Sequence, residues 1–155
     1  WCWQGDLITP IHISGMILSV FAVGTGFLLF ALVRCLAGVK TALIGLGLWA
    51  VCPYFIVYTV NGLETSLALF FLCAVLLSYV RWFKSAGTGS LVSVVKFGLV
   101  CGLAVLARID LLLLLMAVGL DWSIDMIRRK SLSLELPRAI TVAAFALVVW
   151  LPWGS

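Results

Sequence analysis

The chain has 155 residues, of which 65% are hydrophobic and only 10% are charged. A soluble domain is about half apolar and about a quarter charged, and a soluble globule of this length could not cover so much apolar surface. The net charge is +4, but the basic residues lie in short breaks between apolar runs, where they orient a membrane protein, so we expect no nucleic-acid partner. The composition therefore predicts an integral membrane protein in a lipid bilayer.

The apolar runs predict six membrane-spanning helices. A helix rises about 1.5 Å per residue, so about 20 residues cross the hydrocarbon core of a bilayer. The scattered cysteines form no metal-ligand cluster with the single histidine. The predicted fold class is all-α, a polytopic helical membrane protein that forms a single transmembrane domain over residues 1–155. The predicted spans cover residues 13–36, 41–60, 65–80, 91–107, 111–127 and 138–151.

Glycine and proline residues give local predictions along these spans. Gly15, Gly24 and Gly26 would allow close helix packing in the first span. Pro53 lies inside the second span and should kink it. Pro137 is well placed to open the sixth span. These predictions concern the path and the packing of the helices.

The basic residues predict the orientation of the spans. Nine of the ten lie in or beside the first, third and fifth breaks between spans, and only Arg108 lies elsewhere. The positive-inside rule places those odd-numbered breaks in the cytoplasm, so Arg108, Asp6 and residues 61–66 face outward. Asp121 and Asp125 lie near three of the cytoplasmic basic residues and would balance their charge. The nine are Arg34, Lys40, Arg81, Lys84, Lys96, Arg128, Arg129, Lys130 and Arg138.

Two short polar breaks on the predicted outer face form the candidate functional site. The first is Asn61-Gly62-Leu63-Glu64-Thr65-Ser66, which holds the only asparagine of the chain, and the second is Ala107-Arg108-Ile109-Asp110. A charge at the membrane boundary is costly unless it is paired or solvated, so Glu64 and Arg108 are candidate functional residues. A guanidinium can bind a phosphate through two hydrogen bonds, and a carboxylate can hold a divalent metal ion or act as a general base.

A structural interpretation fits the same residues. Asn61 and Glu64 have the spacing of a capping box at a helix start, and Glu64 would also complement the helix dipole. Asp110 could cap the fifth span or pair with Arg108. The two interpretations are compatible, because a capped helix start can also carry a catalytic acid.

The same breaks carry a resemblance to a known family. Residues 61–65 (NGLET) resemble the G-[LM]-E-T segment of bacterial GT-C superfamily glycosyltransferases. Residues 102–110 (GLAVLARID) resemble their GL-x-x-LAR-x-D segment. Leu151-Pro152-Trp153 resembles the LPW at another outer boundary of these enzymes. The order and the spacing of the three motifs fit from about residue 13 to the end of the chain.

The resemblance implies a GT-C-like fold and a glycosyltransferase of the bacterial inner membrane whose active site faces outward. A sugar would pass from a polyprenyl-phosphate carrier to a glycan, lipid or protein acceptor. Glu64 and Arg108 would be the catalytic positions, with Glu64 near the donor phosphate or a divalent metal ion, which is the only cofactor that we expect. Asn61, Thr65, Arg108 and Asp110 would bind the substrate.

One part of the family pattern is missing. These enzymes place their principal acidic residue, usually an aspartate, in a large outer loop after the first span, and Asp6 does not match that motif. We therefore expect the chain to be a fragment that lacks the first span and that loop, and to be inactive alone. Two rival hypotheses are a lipid or solute transporter or flippase, which glycine-rich and kinked spans would fit, and a non-catalytic membrane assembly subunit.

Overall fold

The computed structural model describes residues 8–53, 63–81, 91–128 and 132–150, and these ranges contain helices and no strand. The all-α part of the predicted fold class is thereby confirmed for the described ranges. The chain divides into two compact units, Trp1–Phe70 and Phe71–Ser155. Six helices lie in the described ranges: α1 (Ile8–Ala37), α2 (Val39–Val51), α3 (Leu63–Tyr79), α4 (Leu91–Ala107), α5 (Leu111–Arg128) and α6 (Leu132–Trp150).

Among the residues that the structure describes, one helix is long and apolar enough to cross a membrane by itself. It covers Ile13–Ala37, which is 25 residues with a mean hydropathy of 2.4. A helix of 17 residues, the length of α3 and of α4, rises about 25 Å and lies at the lower limit for a span. The shorter apolar helices are Val39–Val51, Thr65–Tyr79 and Val92–Ala107.

The helices carry stripes of exposed apolar side chains. Large apolar surfaces of this kind are rare on proteins in water, whereas acyl chains cover them at no cost in a bilayer. The spacing of three to four residues puts each stripe on one helix face, and such faces suit contact with lipid. The stripe on α1 contains Met16, Val20, Val23 and Phe27, and the stripe on α5 contains Leu113, Met116, Leu120, Ile124 and Ile127.

A single glycine joins α1 to α2 in the first unit. Gly38 has φ 88° and ψ 174°, a backbone conformation that is essentially limited to glycine. Its N–H donates to the carbonyl of Arg34 (3.2 Å), and its carbonyl accepts the N–H of Ala42 (3.1 Å). Through this one-residue link, α2 packs back along α1. A Cβ atom added at Gly26 would lie 3.5 Å from Cδ1 of Trp49.

The glycines of the first span differ in what surrounds them. A Cβ atom added at Gly24 would lie 2.9 Å from Cε2 of Phe70, and one added at Gly26 would lie 3.4 Å from Cδ1 of Leu46. The prediction of close packing is confirmed at these two positions. It is wrong at Gly15, where an added Cβ would meet no described atom within 4 Å. That residue lies on an open part of the helix surface.

In the second unit, α4 and α6 make a close contact at a glycine. A Cβ atom added at Gly102 would lie 2.8 Å from Cβ of Val149, well inside the usual separation of packed carbon atoms. Both residues are near the carboxyl ends of their helices, so those two ends lie side by side. One face of α4 is buried in this unit through Val94, Phe97, Cys101 and Ala104, each at most 3% exposed.

Two prolines do not act as the sequence suggests. The helix α2 ends at Val51, and Cys52 is extended, as the residue before a proline prefers. Pro53 therefore follows a helix end instead of lying inside α2, and residues 54–60 of the predicted second span lie outside the described residues. The helix α6 begins at Leu132, so Pro137 lies inside it and does not open it. Pro137 is the sixth residue of α6, so it removes one backbone hydrogen bond inside that helix.

Candidate active site

The second predicted outer break is a three-residue turn between α4 and α5. Arg108 continues the hydrogen bonding of α4, because its N–H donates to the carbonyl of Ala104 (3.1 Å). The N–H groups of the first three α5 residues donate to the carbonyls of Arg108, Ile109 and Asp110 at 3.1, 2.9 and 3.2 Å. The backbone of the turn is therefore fixed on both sides, while all three side chains are exposed.

Arg108 and Asp110 form an ion pair across this turn. Nε of Arg108 lies 2.9 Å from Oδ2 of Asp110, and the two side chains are 46% and 65% exposed. The carbonyls of the turn already accept the first N–H groups of α5. Of the two structural hypotheses for Asp110, pairing with Arg108 is the one that the structure shows.

The charges of the pair also suit the helix ends. Arg108 follows the carboxyl end of α4, where a cation is favourable, and Asp110 precedes the amino end of α5, where an anion is favourable. An exposed ion pair contributes only about 0–1 kcal/mol to stability. The fold therefore depends little on these two charges.

The first predicted outer break is described only from Leu63 onward. Glu64 is the second residue of α3, so it lies in the first turn of a helix, where a carboxylate complements the helix dipole. Thr65 follows and is half-buried. Asn61 lies outside the described residues, and so does its predicted role as a helix cap.

The structure brings together one pair of the predicted site residues, Arg108 and Asp110. Glu64 and Thr65 belong to the first unit, and each unit is described by itself. That the two breaks share one active site stays a prediction from the charge distribution.

No metal site is formed by the described residues alone. No group of three or more His, Cys, Asp or Glu residues that could hold a metal ion is found among them. An ion beside Glu64 would need further ligands from elsewhere in the protein, since a divalent cation takes several oxygen ligands. We therefore derive no chemical step through a metal ion.

A polar contact that the sequence analysis missed lies at the other end of α3. The hydroxyl of Tyr79 donates to Oδ2 of Asp121 at 2.8 Å, and the tyrosine is only 6% exposed. Its ring also packs against Phe97, with 6.3 Å between the ring centroids. Asp121 thus has a partner on another helix in addition to the predicted balance of cytoplasmic charge. The sequence did indicate that Asp121 needs a partner, because a carboxylate inside an apolar helix usually has one.

Comparison with known families identifies the class of protein to which this helical fold and the charged turn between α4 and α5 belong. The class is the GT-C type of membrane glycosyltransferase. Residues 4–154 match the model of the dolichyl-phosphate-mannose-protein mannosyltransferase family, and the chain belongs to that family. Comparisons with curated proteins and with solved structures gave no significant match. The resemblance seen in the sequence is thereby confirmed, and the family favours a glycosyltransferase over a transporter or an assembly subunit.

Proposed function

We propose that the chain is part of an enzyme that transfers a sugar from a polyprenyl-phosphate carrier to a glycan, lipid or protein acceptor at the outer membrane face. The family description supports this proposal, since it names a dolichyl-phosphate-linked mannose as donor and a protein as acceptor. Both the sugar and the acceptor of this chain are left open in the proposal.

The exposed guanidinium of Arg108 is the observation that carries the proposal. It lies in a turn whose backbone is held by hydrogen bonds on both sides. It is the one basic residue of the chain that charge distribution puts on the outer face. A carrier phosphate in the outer leaflet is an anion at this membrane depth, and a guanidinium suits it in both charge and shape.

The proposed reaction is an inverting transfer. The oxygen of an acceptor hydroxyl attacks the anomeric carbon, and the hydroxyl proton passes to a carboxylate that we expect in the outer loop preceding these residues. The bond between the anomeric carbon and the phosphate oxygen breaks, and its electrons leave with the phosphate. Arg108 stabilises the negative charge that grows on that phosphate. Glu64 lies on the donor side of the site, where a divalent metal ion stays a prediction.

Replacement of Arg108 by alanine tests this assignment in the full-length, membrane-embedded protein. The loss of a positioned group that stabilises transition-state charge lowers kcat by about 100-fold or more. We expect that loss in the transfer of labelled sugar from a polyprenyl-phosphate donor, with unchanged protein abundance in the membrane.

Arg34→Ala is a matched control, because Arg34 is also an exposed arginine near the carboxyl end of a helix but is predicted to face the cytoplasm. It should retain normal turnover. Wild-type turnover in the Arg108→Ala protein would overturn the role of Arg108. Movement of the lipid or a solute across liposomes without any glycosyl product would overturn the glycosyltransferase assignment itself.

A further inference from the structure

The ion pair between Arg108 and Asp110 has its contact at the Nε side of the guanidinium. Asp110 contacts Arg108 through Nε, the nitrogen nearest the aliphatic stem. The two terminal nitrogens, Nη1 and Nη2, lie on the far side of the guanidinium from its aliphatic stem. They form the edge of the guanidinium that can hold two oxygens of one phosphate side by side.

We propose that Asp110 is a positioning residue that orients Arg108 toward the carrier phosphate. This inference rests on the proposed function, and it revises the prediction that Asp110 binds the substrate itself. The carboxylate fixes the guanidinium from the Nε side, so the terminal edge faces away from Asp110 and toward the bound donor. A carboxylate in direct contact with the phosphate would repel it, which argues against a substrate-binding role.

The short turn gives Asp110 this ability. Only Ile109 separates the two charged residues, and the backbone on each side is held by helix-type hydrogen bonds. The positions of both Cα atoms are therefore fixed. A long exposed arginine would otherwise sample many rotamers, and a partner at a fixed position restricts that freedom before the substrate arrives.

The test is a kinetic comparison of Asp110 variants in the full-length protein. Asp110→Asn keeps the shape and a side chain suited to a helix start, but it removes the charge that holds the guanidinium. Misorientation of a catalytic group lowers kcat, and we expect a loss of about tenfold. KM for the polyprenyl-phosphate sugar should stay the same or fall, because a negative charge near the phosphate has been removed. Asp110→Glu should recover part of kcat.

The same Asp110 substitution in an Arg108→Lys protein shows whether Asp110 acts through Arg108. Lysine keeps the charge but has neither Nε nor a terminal fork, so it cannot be oriented in the same way. In an Arg108→Lys protein, Asp110→Asn should change kcat by less than about twofold, since interacting residues show non-additive effects. Asp125→Asn, another partly exposed carboxylate, is the matched control and should retain normal kinetics.

Several outcomes would overturn the inference. An Asp110→Asn protein with wild-type kcat and KM would show an ordinary surface pair. A raised KM with unchanged kcat would show direct substrate binding by Asp110. An equal loss in the wild-type and the Arg108→Lys backgrounds, or no recovery with Asp110→Glu, would show that Asp110 acts independently of Arg108. The proposed function fails separately, through normal turnover of Arg108→Ala.

Discussion

At the scale of single residues, the hydrogen bond between Tyr79 and Asp121 shows how this protein places a carboxylate among apolar helices. The hydroxyl and the carboxylate come from α3 and α5 and meet at 2.8 Å. A polar group at membrane depth is costly without a partner, so the pair satisfies both groups while joining two helices. Its location at the predicted cytoplasmic end separates it from the outer turn, so its contribution is to stability.

Removal of the Tyr79 hydroxyl should lower stability and leave the proposed chemistry unchanged. Hydrogen bonds between membrane helices are worth about 0.6 kcal/mol on average and reach about 1.7 kcal/mol, so Tyr79→Phe should cost about 1 kcal/mol. The measurement is reversible unfolding of the protein in detergent. Asp121→Ala and the double variant complete a cycle, and strictly additive losses would show that the two side chains are not coupled.

At the scale of helices, the contact between Gly102 and Val149 sets the distance between α4 and α6. An added methyl group would come within 2.8 Å of Cβ of Val149, so the helices must separate to admit it. The close packing of α4 against α6 therefore explains why Gly102, the glycine of the GL-x-x-LAR-x-D segment, carries no side chain in this chain. It lies six residues before Arg108, and the contact fixes the helix that carries the candidate active-site residue.

Gly102→Ala should destabilise the protein by about 1–3 kcal/mol, the usual cost of an extra methyl group in a packed contact. Unfolding in detergent measures this loss. Gly119→Ala is the matched control, since an added Cβ there meets no described atom within 4 Å, and it should be neutral or slightly stabilising. Val149→Gly removes the Cβ atom that the added methyl group would meet, so it should relieve part of the Gly102→Ala defect, and failure to do so would place the clash elsewhere.

Helix positions could be predicted where an apolar run coincides with a helix, and less well where polar residues begin or end one. The predicted span at 91–107 coincides with α4 because charged breaks limit the run on both sides. In contrast, α6 begins at Leu132, within a stretch that is not apolar enough to mark a span. The pair of Arg108 and Asp110 could be predicted because the two are neighbours in sequence. The partner of Asp121 depends on packing between distant helices, which local patterns do not report.

At the scale of the whole molecule, the distribution of charge predicts which loops face outward. That orientation decides whether the ion pair can meet a lipid-linked donor at the outer face. The positive-inside rule rests on short loops such as those here. The exposed apolar stripes fit contact with lipid but do not distinguish the two sides of the membrane.

Cysteine labelling can measure the orientation directly. Ile109 is 70% exposed in the outer turn, so Ile109→Cys should react with a membrane-impermeant maleimide in intact cells. Lys40→Cys, exposed beside the first break, should react only after permeabilisation. Both variants require replacement of the native cysteines by alanine. The reverse labelling pattern would invert the topology and move the candidate site to the cytoplasm.

The six-residue interval between Gly102 and Arg108 also limits how this segment can change length in evolution. Each residue inserted in a helix turns everything beyond it by about 100° and lifts it by about 1.5 Å. With α4 held against α6 at Gly102, one insertion would swing the guanidinium about a quarter of the way around the helix. Insertions or deletions between these two positions should therefore be tolerated in steps of about one full helical turn, whereas loops elsewhere can vary freely.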